Sequence, residues 1–164
     1  MDYQLTDHFR VDSDLDRTWA FFSSADNLPL ITPPWLAFRI QTPPPIQLRQ
    51  DCILDYTIRW LNFPVRWRTQ IIDFTPPHQF IDLQLQGPYT LWLHQHRFTP
   101  SDSGTLCQDR VFYKLPAGPL GHLAHILFVH RQLLDIFRYR RQALSRHLAP
   151  LHPLQPDVTI HPLV

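Results

Sequence analysis

The chain has 164 residues, a length that fits one domain with a hydrophobic core of its own. Hydrophobic residues make up 44% of the sequence and aromatic residues 13%, which is typical of a globular protein and excludes a disordered chain. No apolar run approaches the ~18 residues of a membrane span. The net charge of +1 argues against a nucleic-acid partner.

The first residues lack the basic segment and apolar core of a secretory signal, so we expect a cytoplasmic protein without stable membrane insertion. Cys52 and Cys107 lie outside any Cys-x-x-Cys pattern, which argues against a disulfide framework or a zinc knuckle. The common nucleotide-binding, acyl-transfer and zinc-protease motifs do not occur. We therefore expect no cofactor and no resident metal, and the sequence leaves the oligomeric state open.

In chain order, alternating apolar residues from 3 to 11 predict a half-buried first strand. Helical spacing follows over 15–22, and a second short helix is predicted over 25–31, ended by Thr32-Pro33-Pro34. Two short helices therefore separate the first strand from the rest of the chain.

Alternation then predicts six further strands, joined by short turns that contain proline or glycine. Short turns favour a meander of antiparallel hairpins. The predicted strands cover residues 38–42, 52–61, 65–74, 79–86, 91–100 and 105–115.

Residues 120–148 form the one segment that is long and periodic enough for a multi-turn amphipathic helix. Its apolar stripe predicts that Leu127 faces the sheet. Gly118-Pro119 marks the start of this helix and Pro150 its end. The basic residues near its C-terminus are interpreted as a solvated helix end that complements the helix dipole, and they are Arg138, Arg140, Arg141 and Arg146.

The order of one strand, two short helices, six strands and one long helix predicts an α+β helix-grip fold. In this fold a curved antiparallel sheet of about seven strands wraps around a long C-terminal helix. Residues 1–149 are predicted to form this domain. Residues 150–164 are rich in proline and lack periodicity, which predicts a loosely attached C-terminal tail.

Several short motifs accompany this plan, and they are Thr32-Pro33-Pro34-Trp35, Gly87-Pro88-Tyr89, Trp92-x-His94-x-His96-x-Phe98, Asp109-Arg110-Val111 with Tyr113, and Gly118-Pro119-Leu120-Gly121. Together they resemble a bacterial subfamily of the SRPBCC superfamily, which includes START lipid-transfer domains, pollen-allergen-like proteins and polyketide cyclases. Some members of the subfamily are labelled cell-division inhibitors or are fused to an epimerase-like domain. The resemblance covers residues 3–144 and implies a hydrophobic ligand-binding cavity between the sheet and the terminal helix.

Alternation along the predicted strands assigns aromatic and polar side chains to the inward face of the sheet. Large aromatic residues are often simple core, so core packing stays open as the alternative to ligand contact. The candidate ligand-binding residues are Trp35, Tyr56, Trp60, Trp67, Tyr89, Trp92, His94, His96, Asp109, Tyr113 and Leu127.

Three interpretations of His94, His96 and Asp109 stay open. An unsatisfied buried polar group costs about 1 to 3 kcal/mol, so the three residues can form a purely structural network. They can also form a catalytic pair in which the carboxylate orients a histidine as general base. A metal site is the third interpretation, and it needs a third inward ligand such as Asp109. The tight turn over 101–104 favours His96 as the partner of Asp109.

We therefore predict a protein that binds a small hydrophobic or aromatic molecule in its interior, for transport or sensing, rather than an enzyme. The first alternative is a cyclase-like, aromatase-like or hydrolytic enzyme that uses a histidine with Asp109. In that enzyme Tyr56 or Tyr113 would donate a hydrogen bond to a carbonyl group. The second alternative is a regulatory module that binds proteins through the outer helix face and the tail.

Overall fold

The computed structural model describes residues 2–60, 62–154 and 157–163, and within them nine strands form one curved antiparallel sheet. The order across the sheet is β2-β3-β4-β5-β6-β7-β1-β8, and β9 also pairs with β1. The predicted helix-grip fold is confirmed, with nine strands in place of about seven. Leu61, the predicted end of one strand, lies outside the described residues. The strands are β1 Asp2–Val11, β2 Arg39–Ile40, β3 Ile53–Trp60, β4 Phe63–Thr75, β5 Gln79–Gln86, β6 Leu91–Ser101, β7 Gly104–Lys114, β8 Leu151–Pro153 and β9 Thr159–Leu163.

Short helices follow β1, and a long helix follows β7. The first group comprises α1 Leu15–Phe22, a 3₁₀ turn Ala25–Asn27, α2 Leu28–Ile31 and a 3₁₀ turn Pro34–Leu36. Asp14 caps α1, because its carboxylate accepts the backbone N–H of Arg17 at 2.7 Å. The C-terminal helix comprises α3 Gly118–Ala124, a π-helical turn His125–Val129 and α4 His130–His147.

A tight hairpin turn fixes the register of β6 against β7. Ser101 pairs with Gly104 at the end of the two strands. Gly104 has a φ of +137°, and a Cβ added there would lie 2.0 Å from the carbonyl oxygen of Val11. Only glycine fits this position, so the turn can form at this point of the sequence alone. This turn then fixes which residues of β6 and β7 are paired.

The first part of the C-terminal helix faces the sheet with residues other than those of the predicted apolar stripe, whereas Val129, Leu133, Phe137 and Leu144 of the stripe are buried. Leu127 is 57% exposed, so its predicted contact with the sheet is wrong. The buried positions of the helix begin with Gly121, His125, Val129, Leu133 and Phe137, each four residues after the last, and continue with Arg141, Ala143 and Leu144. The π-helical turn has more residues per turn than an α-helix, and this rotates the first part of the apolar stripe away from the sheet. Among the described residues, no helix is long and apolar enough to cross a membrane.

The C-terminal tail is part of the sheet, so the prediction of a loosely attached tail is wrong for the residues that the structure describes. Strands β8 and β9 both pair antiparallel with β1. Asp157 also accepts a hydrogen bond from Arg141 of α4 at 2.8 Å. The free edge of β1 offers unpaired backbone groups, and prolines are tolerated in edge strands. Positions 155, 156 and 164 lie outside the described residues, and a domain boundary at 149/150 stays a prediction.

We expect two leucines of the C-terminal helix to respond in opposite ways to truncation. Leu144 is fully buried in the core, so Leu144→Ala should lower the free energy of unfolding by about 2 to 5 kcal/mol. Leu127→Ala should change it by less than about 0.5 kcal/mol, because this side chain is exposed. Urea denaturation of both variants measures the difference. Equal losses would contradict the orientation of the helix.

Candidate functional site

A cavity of about 190 Å³ lies between the sheet and the helices. Strands β3 to β6 form one wall, and α1, α2 and α4 contribute to the other. Aromatic side chains dominate the strand wall, and they are Tyr56, Trp60, Trp67, Phe80 and Trp92, with Tyr89 from the turn between β5 and β6. The opposite wall includes Leu133, Ile136 and Phe137 of α4. The interior of the protein therefore contains space with a mainly aromatic lining.

The aromatic residues pack against one another as well as facing the cavity. The rings of Tyr56 and Trp67 are stacked with centroids 5.9 Å apart, and the ring of Trp92 meets Trp67 edge-on at 5.4 Å. The indole N–H of Trp60 donates to the hydroxyl of Tyr89 at 3.3 Å. These contacts hold the wall in one arrangement before any ligand enters.

Four polar side chains from three neighbouring strands meet at the cavity. Cross-strand register places Asp82 of β5 opposite His94 of β6, and His96 of β6 opposite Asp109 of β7. Asp82, His94 and His96 lie on the cavity wall. Asp109 is only 2% exposed and lies behind the two histidines. The strand pairing alone therefore assembles a buried cluster of two carboxylates and two imidazoles.

One short hydrogen bond organises this cluster. Nδ1 of His96 lies 2.7 Å from Oδ1 of Asp109. The other contacts are longer: Nε2 of His94 lies 3.7 Å from the same oxygen of Asp109, and Nε2 of His96 lies 3.5 Å from Oδ2 of Asp82. The sequence predicts that His96 pairs with Asp109, and the geometry agrees.

Arg140 brings a positive charge from α4 to the same cluster. Its Nε atom lies 3.9 Å from Oδ2 of Asp109. The guanidinium group also lies 5.6 Å from the ring centroid of Phe22 and 6.0 Å from that of Phe137. Sequence reasoning assigns this arginine to a solvated helix end, which is wrong, because aromatic rings and a carboxylate compensate its burial.

Burial and neighbouring charges shift the pKa values of the two histidines in opposite directions. Burial lowers the pKa of His94 to about 4, and the nearby His96 adds to this shift. Burial also acts to lower the pKa of His96, but the charge and hydrogen bond of Asp109 outweigh it and raise that pKa. His94 is therefore neutral at neutral pH, whereas the surroundings of His96 favour its charged form.

Both carboxylates of the cluster are ionised at neutral pH. Burial would raise the pKa of Asp109, but the charges of His96 and Arg140 hold it well below its usual range. Burial would likewise raise the pKa of Asp82, and the two histidines reverse this effect and lower it. The cluster thus holds separated charges in a mostly buried place, which is common at functional sites.

Asp82 is the residue of this cluster that sequence reasoning missed. Along β5 the apolar residues Ile81, Leu83 and Leu85 share one face and Asp82 lies on the other, so the apolar pattern does not mark Asp82 as an inward residue. In the structure the face of Asp82 points to the cavity, and the opposite face points outward, where Leu85 is 49% exposed. A signal existed in Phe80, which is apolar and shares the face of Asp82.

Four predicted site residues do not line the cavity, and they are Trp35, Asp109, Tyr113 and Leu127. Trp35 is 49% exposed and, with Leu127, lines a shallow groove on the outer surface, so their predicted inward placement is wrong. In the 3₁₀ turn Pro34–Leu36 the buried residue is Leu36. The ring of Trp35 packs edge-on against that of Tyr139, with centroids 5.4 Å apart. Tyr113 is fully buried, and its hydroxyl lies 2.7 Å from Nε2 of His125. Contact of the remaining candidates with a ligand stays a prediction.

The low pKa of His94 predicts a loss of stability in acid. Between pH 6.5 and about pH 4 the unfolded chain binds a proton at this residue and the folded chain does not, so stability falls as the pH falls. We expect His94→Gln to reduce this fall by about 3 kcal/mol. Urea denaturation at several pH values, with a chelator present to remove bound ions, measures it.

The exposed His78 provides the control for this pH series. His78→Gln should give the same dependence of stability on pH as the unchanged protein. A His94→Gln curve parallel to that of the unchanged protein would contradict a neutral, buried His94.

Comparison with known proteins identifies the family of the chain. Residues 11–138 match the model of the family described as polyketide cyclase / dehydrase and lipid transport. No curated protein matches the sequence.

Solved structures share the fold at low sequence identity. The di-domain ARO/CYC StfQ from the steffimycin biosynthetic pathway has a TM-score of 0.67 and 16% identity, with 90% of this chain and 51% of that chain covered. The chain thus spans about half the length of that protein. A Thalictrum norcoclaurine synthase has a TM-score of 0.64 and 15% identity, with 90% and 96% covered. The protein TTHA0849 from Thermus thermophilus has a TM-score of 0.62 and 14% identity, with 90% and 97% covered.

At these identities the solved structures show the fold alone. The family model, in contrast, matches well over half of the chain. The chain therefore belongs to the polyketide cyclase / dehydrase and lipid transport family, within the SRPBCC helix-grip superfamily.

Proposed function

We propose that this chain binds a small, mainly aromatic molecule in the cavity between the sheet and the C-terminal helix. The observation that carries the proposal is a volume of about 190 Å³ with aromatic walls and a polar end at Asp82, His94 and His96. An apolar protein cavity of about 150 Å³ accepts benzene. The volume here therefore suits a molecule of one or two rings.

The free energy available from burial alone indicates that a ligand bound with micromolar affinity also carries a polar group. Burial of about 150 to 250 Å² of aromatic surface contributes roughly 4 to 6 kcal/mol, at about 25 cal/mol per Å². This corresponds to a Kd between about 1 mM and tens of micromolar. Micromolar affinity needs one or two hydrogen bonds more, at about 0.5 to 1.5 kcal/mol each. A hydroxyl or carbonyl group directed at His94 and Asp82 would provide them.

A pair of probe molecules tests this proposal. We expect 2-naphthol, which has two rings and a hydroxyl, to bind with a Kd on the order of 10 µM and to raise the melting temperature. Naphthalene lacks the hydroxyl and should bind about tenfold more weakly, because the polar end then loses a hydrogen bond. Fluorescence titration and thermal melts measure both effects.

Two tryptophan substitutions on the same helix locate the bound probe. Ile136 lines the cavity, so Ile136→Trp should fill it and abolish 2-naphthol binding. Leu127→Trp adds the same side chain to the exposed outer groove and should leave binding unchanged. Binding that survives Ile136→Trp, or that is lost in both variants, would contradict the cavity as the binding site.

A second candidate function is a cyclase-like enzyme, and the short hydrogen bond between His96 and Asp109 favours it. The raised pKa of His96 suits a general acid better than the general base of the sequence-based hypothesis. His96 would donate a proton to a ketone oxygen, and Asp82 would accept a proton from the adjacent carbon. Two titratable groups whose pKa values are pushed apart are typical of acid and base partners.

Asp109→Asn separates this second function from simple binding. If the chain is a cyclase, the variant should lose at least about 100-fold in the turnover of an aromatic poly-β-ketone, because general acid catalysis contributes about 10²- to 10⁴-fold. Its affinity for 2-naphthol should stay within a few-fold. Asp102→Asn, on the exposed hairpin turn, is the matched control. Equal turnover in both variants, or none in the unchanged protein, would contradict the enzyme.

A further inference from the structure

We propose that Asp82, His94 and His96 bind a divalent transition-metal ion and leave one coordination position open to the cavity. One ligand atom from each of the three residues lies within 4.8 Å of the others. This inference goes beyond the proposed function, since an aromatic ligand can fill the cavity without an ion.

The spacing of the three side chains suits an ion better than hydrogen bonds. Oδ2 of Asp82 lies 3.5 Å from Nε2 of His96 and 3.8 Å from Nδ1 of His94. Both distances exceed the usual hydrogen-bond range of about 2.7 to 3.2 Å. Two ligand atoms that each lie about 2.1 Å from one ion are roughly 3.0 to 3.4 Å apart at octahedral and tetrahedral angles. The carboxylate oxygen thus lies near the distance that ligands of one ion keep, and small side-chain rotations bring both imidazoles to it.

Asp109 supports the two imidazoles from the side opposite to Asp82. Its Oδ1 atom lies 2.7 Å from Nδ1 of His96 and 3.7 Å from Nε2 of His94. In each ring this is the nitrogen that does not face Asp82. A metal-binding histidine almost always donates its second N–H to such a carboxylate or carbonyl group, which fixes the tautomer and turns the free lone pair to the metal.

A purely structural network explains this cluster less well. Among the described residues of this cluster, three polar atoms are buried without a hydrogen-bond partner, and they are Nε2 of His94, Oδ2 of Asp109 and Nε of Arg140. A network kept for stability alone normally satisfies its buried polar atoms, because each orphan costs free energy. Arg140 lies beside Asp109, and a cation held by both imidazoles would replace the proton of His96 beside the carboxylate of Asp82.

The donor set indicates the class of ion. Two imidazole nitrogens and one carboxylate oxygen suit Zn²⁺ or Fe²⁺, whereas Mg²⁺ and Ca²⁺ prefer oxygen alone. Three protein ligands with an open fourth position are typical of catalytic rather than structural zinc sites. Since all three residues line the cavity, a hydroxyl or carbonyl oxygen of a bound molecule could take the open position.

Metal titration of the full chain tests the site. Protein stripped with a chelator and dialysed against Zn²⁺ should retain about one equivalent by elemental analysis, and Co²⁺ should give a visible absorption band as a spectroscopic probe. Asp82→Asn and His94→Gln should each abolish stoichiometric binding and the Co²⁺ band. Asp109→Asn should weaken Zn²⁺ binding about 10- to 100-fold, as expected for a residue that orients the ligands.

Controls make the outcome decisive. His78→Gln removes an exposed histidine and should retain the full metal content. Circular dichroism identifies folded variants, and because Asp82 is partly exposed, Asp82→Asn decides the question if a histidine variant does not fold. The proposal is overturned if the unchanged protein binds no stoichiometric metal, or if binding survives in Asp82→Asn. Titration of metal-free protein with 2-naphthol tests the proposed function separately, so the two proposals can fail independently.

Discussion

The register of β5, β6 and β7 is the constraint on which the site depends. It sets Asp82 opposite His94 and His96 opposite Asp109, so two cross-strand pairs create the whole polar cluster. Because side chains alternate along a strand, a slip of one residue in β6 would turn both histidines to the outer face of the sheet. The steric demand at Gly104 prevents such a slip at the turn between β6 and β7. A backbone feature at the rim of the sheet therefore determines the chemistry of its interior.

Two buried ion pairs fasten α4 to the inner face of the sheet. Asp7 of β1 and Asp109 of β7 are cross-strand neighbours, and the consecutive residues Arg141 and Arg140 of α4 reach Asp7 and Asp109 respectively. The removal of one partner from a buried pair costs about 3 to 5 kcal/mol, since it leaves an uncompensated charge. An apolar helix face could slide along an apolar sheet with little change in burial. Paired charges allow one position only, which keeps Arg140 beside the histidine cluster.

The sequence predicts the elements of this fold well and the composition of its site in part. Strand boundaries and the pairing of His96 with Asp109 follow from alternation and one tight turn, both of which are local properties. Asp82 was missed because the apolar residues of its strand lie on the outer face, where Leu85 is exposed. The orientation of Leu127 depends on the π-helical turn, and no residue type marks such a turn. The tail strands find their partner more than a hundred residues earlier, beyond the reach of any periodicity.

The position of β1 between β7 and the tail strands also has a consequence for how the chain folds. This strand is synthesised before all the others, yet it lies between β7 and the tail strands, and its Asp2 pairs with Lys114 on one side and Leu163 on the other. During translation most of the chain must therefore be synthesised before either edge of β1 can pair with another strand. Pairings of such high contact order form slowly and expose strand edges in the meantime. The outer edge of β1 therefore stays unpaired until β8 and β9, the last strands of the sheet, have been synthesised.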